Sequence, residues 1–64
     1  MNRIIIDFIE FAKECIPDLK ISLHTDAAII IFEDSTGTYE VPEIDIIEKM
    51  SAKIGNISIS LLPV

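Results

Sequence analysis

The chain predicts an α+β domain of order αβββαβ, and three observations carry that expectation. A first stretch spaces its apolar residues as a helix does and is ended by a proline. A run of short, alternating apolar stretches separated by turn residues follows, and a second helix-spaced stretch then leads from Pro42 towards Gly55 and a last alternating run. The expected architecture is one two-layer domain over residues 1–64, with a four-stranded, mostly antiparallel sheet and both helices on one face of it.

In residues 2–16, Arg3, Asp7, Glu10 and Glu14 fall on one stripe, while Ile4, Ile5, Phe8, Ile9, Phe11, Ala12, Cys15 and Ile16 cover nearly half of the circumference. Asn2 suits the cap before the first turn, and Pro17 stops the helix because the residue before a proline is pushed out of helical geometry. Residues 20–24 alternate, with Ile21 and Leu23 opposed by Lys20, Ser22 and His24. A turn at Thr25 and Asp26 leads into residues 27–33, which are apolar on both faces, Ile29 and Ile31 on one and Ile30 and Phe32 on the other. Asp34, Ser35, Thr36 and Gly37 form the next hairpin turn, and residues 38–41 complete a three-stranded meander.

Pro42 suits the first position of the second helix, where Glu43 and Asp45 complement the positive end of the helix dipole. Ile44, Ile47, Met50 and Ile54 give that helix its buried face, with Gly55 and Asn56 as its stop. Residues 57–62 make a last strand, stopped by Pro63.

This assignment puts Ile21, Leu23, Ile29, Ile31, Tyr39, Val41, Ile57, Ile59 and Leu61 in the core. It leaves Ile30, Phe32 and Leu62 as an apolar spot on the opposite, polar face. A chain of this length buries only about 60% of its unfolded surface. Isoleucine alone fills positions 4, 5, 6, 9, 16, 21, 29, 30, 31, 44, 46, 47, 54, 57 and 59. That excess of aliphatic surface predicts a homo-oligomer, as a two-fold dimer, with Ile30, Phe32 and Leu62 at its interface.

The net charge of −6 resides in one segment: Glu33, Asp34, Glu40, Glu43, Asp45 and Glu48 have no Lys or Arg among them. The other five acids, Asp7, Glu10, Glu14, Asp18 and Asp26, are balanced by Arg3, Lys13, Lys20, Lys49 and Lys53. Phosphate backbones and anionic lipid repel such a chain, so neither direct nucleic-acid binding nor membrane binding is expected. The apolar runs are too short to span a bilayer, and a cytoplasmic location is expected.

Catalytic equipment is sparse. His24 and Cys15 are the only residues of their kinds, on different elements, and a lone cysteine allows no internal disulfide. Residues 33–36 do not have the spacing of a calcium loop, and two glycines cannot build a phosphate-cradling loop, so neither a metal nor a cofactor is expected. The sequence therefore points to a non-enzymatic protein-binding module, an inhibitor or regulator of a basic, nucleic-acid-binding protein. Its contacts would be Glu33, Asp34, Glu40, Glu43, Asp45 and Glu48. The alternative is a homo-oligomeric assembly protein that uses the Ile30 and Phe32 face.

Overall fold

The structure, a computed structural model, describes residues 2–62. Its elements run α1 (Arg3–Cys15), β1 (Lys20–His24), β2 (Ile29–Asp34), β3 (Gly37–Pro42), α2 (Glu43–Lys49), β4 (Ser51–Ile54) and β5 (Ile57–Ser60). The α+β class stands. In place of one four-stranded sheet, however, the strands among the described residues form an antiparallel meander β1-β2-β3 and a separate β4-β5 hairpin. The expected strand stop at Pro63 lies outside the described residues.

Asn2 caps α1 as expected: its side-chain oxygen accepts the Ile4 N–H at 2.7 Å. The helix buries Ile5, Phe8 and Ala12 along one stripe and ends at Ile16, whose N–H reaches the Ala12 carbonyl at 2.9 Å. Ile16 and Leu19 then carry the buried surface past Pro17 into the meander.

The meander corrects the expected core. Its register places Ile21 opposite Phe32 and Phe32 opposite Tyr39, and likewise Leu23 opposite Ile30 and Ile30 opposite Val41. These six residues share one face, and α1 packs on it through an edge-to-face contact of Phe8 with Phe32, ring centroids 6.0 Å apart. Ile30 and Phe32 are 0% exposed, whereas Ile29 and Ile31 are half-buried on the outer face. The reason is turn length. Four residues separate His24 from Ile29 and two separate Asp34 from Gly37, so odd-numbered residues of β1 and β3 must pair with even-numbered residues of β2.

The second correction concerns α2, which stops at Lys49 rather than at Gly55. Met50 adopts the left-handed conformation (φ 53°, ψ 28°), and its N–H closes the helix on the Ile46 carbonyl at 2.7 Å. Pro42 is the cap residue and the last residue of β3, not the first helical position. The chain then re-enters extended geometry, and Gly55 with Asn56 forms the two-residue turn that sets Ile54 opposite Ile57. Gly55 has φ 62°, and a glycine at the first turn position suits a hairpin turn of the II′ kind. Ile54 and Ile59 enter the core from the hairpin, while Ile57 near its tip is exposed. Leu61 extends the pairing with an N–H bond to the Met50 carbonyl at 2.8 Å. Ile46 of α2, Val41, Ile5 and Phe8 join the same core, so helices, meander and hairpin share one apolar interior.

Phe32→Ala removes a fully buried ring and is expected to cost about 3–5 kcal/mol, a large part of a small domain's stability, and Ile31→Ala much less. Urea titration of both variants checks the pleat. Backbone sign provides a second check. Ala28 is exposed yet has φ 54°, so Ala28→Gly is expected to raise stability by up to about 1 kcal/mol. Gly55→Ala is expected to lower it by about 1–3 kcal/mol, because the new Cβ combines backbone strain with approaches of 3.1 Å to Thr36 Oγ1 and 3.2 Å to the Tyr39 hydroxyl. Thermal denaturation of the pair reads both signs.

Candidate protein-binding surface

The fold divides the six acids of the 33–48 segment among three places. Glu33 and Glu40 stand on the outer face of the meander, exposed, on neighbouring strands. Asp34 sits at the β2–β3 turn. Glu43, Asp45 and Glu48 belong to α2, where Glu48 points most directly away from the buried Ile46 at 100° per residue. Register reveals a charge relation that chain order hides: Lys20 of β1 lies directly opposite Glu33. No cation stands within ion-pair distance of any of the six acids among the described residues, where the ion pair formed is Arg3–Asp7 at 3.2 Å on the surface of α1.

Asp34 has a local task. Its Oδ1 accepts the Thr36 N–H at 2.8 Å, the Thr36 hydroxyl at 2.6 Å and the Gly37 N–H at 3.2 Å. The Thr36 and Tyr39 hydroxyl oxygens are 2.6 Å apart. A carboxylate only accepts, so the single Thr36 proton goes to Asp34 and Tyr39 must donate to Thr36. The result is a relay from Tyr39 through Thr36 to Asp34, and Gly55 of the β4–β5 turn lies so near that a Cβ there would meet both the Thr36 and the Tyr39 hydroxyl oxygens. The turn of the meander and the turn of the hairpin are thereby neighbours. The Thr36 hydroxyl first, then the Thr36 backbone N–H, hold the Asp34 carboxyl below its ordinary pKa against an opposing effect of burial, with the Gly37 N–H adding less.

An open groove of about 540 Å³ lies between the meander, α2 and the hairpin. One wall is β3, with Glu40, Val41 and Pro42, and Asp45 stands beside it on α2. Ser58, Ile59 and Ser60 of β5 and Ser51, Ala52 and Lys53 of β4 line the other side, with Lys49 at the end of α2. Two carboxylates, two ammonium groups and three hydroxyls thus surround a floor made apolar by Val41, Ala52 and Ile59. Chain order gives no sign of this groove, because one of its linings, β4, falls in residues 50–54, which the helical spacing assigns to the second helix.

The proposed oligomer contact is corrected in part. Ile30 and Phe32 are core residues with no surface to offer a second copy, whereas Leu62 is 50% exposed. His24 is exposed on the outer sheet face, as expected, and Cys15 is exposed rather than buried on α1, which packs on the opposite face. Among the described residues there is no group of three or more His, Cys, Asp or Glu placed to hold a metal ion, and no helix is long and apolar enough to cross a membrane.

The sign of the Asp34 effect fixes a pH dependence. A carboxyl whose pKa is lower in the folded state stabilises the fold above its unfolded value, and that contribution is lost as pH falls through the lowered one. Stability is expected to fall below about pH 4. Asp34→Asn is expected to be less stable at neutral pH and to flatten the acid limb. Urea midpoints from pH 7 to pH 2 check both; parallel profiles for the two proteins would contradict the assignment. No protein-family model, curated protein or solved structure matches this chain.

Proposed function

We propose that the protein is a small non-enzymatic binding module, an inhibitor or regulator whose acidic surface engages a protein with a basic, nucleic-acid-binding surface. The observation that carries this reading is the set of six carboxylates between Glu33 and Glu48, none neutralised by an ion pair among the described residues, in a chain whose remaining charges cancel. Glu33 and Glu40 on the sheet, and Asp45 and Glu48 on α2, are the principal contacts. Glu43 adds a half-buried carboxylate at the start of α2, and Asp34 contributes from the turn through Oδ2, since its internal bonds all fall on Oδ1. Carboxylates spaced along a surface can take the positions of phosphates opposite Lys and Arg.

A charge-steered encounter accelerates at low salt, because screening shortens to about 8 Å at physiological ionic strength. In a pull-down followed by surface-plasmon-resonance kinetics, Glu33→Lys with Glu40→Lys is expected to slow association by at least about tenfold at low salt. Glu10→Lys on α1 is expected to change it little. A partner whose association is indifferent to salt and to the paired substitution contradicts the acidic-surface reading; circular dichroism confirms that each variant is folded.

A further inference from the structure

The two outer strands of the meander, β1 and β3, are guarded differently. β3 carries Glu40 and ends in Pro42, which has no N–H to give. β1 has neither an acid nor a proline, and its ladder to β2 runs residue against residue from Lys20 to His24 without a bulge. Every second residue of such a strand turns its N–H and C=O away from the neighbour it already has. Those groups face solvent here. Ile21 is half-buried and the other four residues of β1 are exposed, among them Leu23, which stands on the inner face yet keeps 42% of its surface.

We infer that β1 pairs with β1 of a second copy, antiparallel about a two-fold axis at Ser22, so that two meanders join into one six-stranded sheet. The order of side chains in β1 names this occupant. An axis at Ser22 sets Lys20 against His24 of the second copy, Ile21 against Leu23, and Ser22 against itself. The strand thus matches its own reverse: a nitrogen-bearing side chain at each end, an aliphatic one inside it, and serine at the centre. Leu23 is covered on the inner face by Ile21 of the second copy, an aliphatic cross-strand pair made twice. A register shifted by two residues in either direction keeps the faces but pairs only three of the five residues of β1 with β1 itself.

Charge selects the same edge. Each copy carries a net charge of −6, so two copies repel wherever their acids meet. β1 is the meander strand without an acid, and its one lysine, Lys20, lies directly opposite Glu33 of its own sheet. On the outer face the two copies therefore meet along a row of Lys20, Ser22 and His24, with Glu33 and Glu40 set back on the strands behind.

The test measures the mass of the full chain by light scattering from micromolar to millimolar concentration. The expected result is a rise from monomer to dimer with a midpoint on the order of 100 µM, as suits a contact of one short strand per copy. Exchange of the β1 amides that face away from β2 should slow in the concentrated sample. Leu23→Lys, shown by circular dichroism to be folded, is expected to weaken the dimer by at least about tenfold, because two-fold symmetry enters the substitution twice. Ser22→Cys, made together with Cys15→Ser, is expected to give a disulfide-linked dimer with oxidised glutathione, since directly opposed residues have Cα atoms about 4.5–5.5 Å apart. His24→Cys in the same background should not, because its two copies lie four residues out of register. A monomer at millimolar concentration, or Ser22→Cys cross-linking no better than His24→Cys, would overturn the two-fold strand pair. So would a chain that stays monomeric and protects its β1 amides only when a different protein is bound, which would give the edge to that protein.

Discussion

The lengths of two turns govern this structure. Four residues between β1 and β2, and two between β2 and β3, are both even numbers, and an even loop pairs odd residues of one strand with even residues of the next. Once Ile21 and Leu23 face α1, Ile30 and Phe32 must do so as well, followed by Tyr39 and Val41. The Phe8–Phe32 contact is the energetic expression of that parity, since two fully buried rings meet at the centre of the core. A slip of one residue in β2 would exchange this ring for the smaller Ile31 and expose the phenyl group.

The same parity creates the outer face. It lifts Glu33 and Glu40 to the surface beside Ile31 and sets Lys20 against Glu33, so the charge of that face is less one-sided than chain order suggests. The relay from Tyr39 to Asp34 lies beside the hairpin turn at Gly55, where a Cβ would crowd the two hydroxyls. Meander and hairpin share one apolar core but do not pair with each other, which leaves β3 as an edge strand. An acidic, largely unpaired surface and a free strand edge meet at one residue, Glu40.

Much of the architecture is legible in the residues themselves. The Asn2 cap, the Pro17 stop, the helical stripe of α1 and the Asp34–Gly37 turn are local chemistry and occur where propensity puts them. What pattern reading misplaces is decided at longer range. Residues 29–32 are Ile, Ile, Ile and Phe, so hydrophobicity has no preference between the faces, and only counting the turn residues reveals the register. Residues 50–54 continue a helical spacing, yet Met50 takes a left-handed backbone that its side chain disfavours, and Gly55 with Asn56 serves as a hairpin turn as readily as a helix stop. The acidic segment is evident as charge; the groove is not, because it exists only once the hairpin does.

The register of β2 is the claim on which core, outer face and groove all depend, and nuclear Overhauser contacts to the ring of Phe8 measure it most directly. The account predicts contacts from the Phe32 ring, with the Ile29 and Ile31 methyl groups showing none and responding instead to a soluble paramagnetic agent. Contacts from Ile31 to Phe8, with the Phe32 ring broadened by the agent, would contradict it.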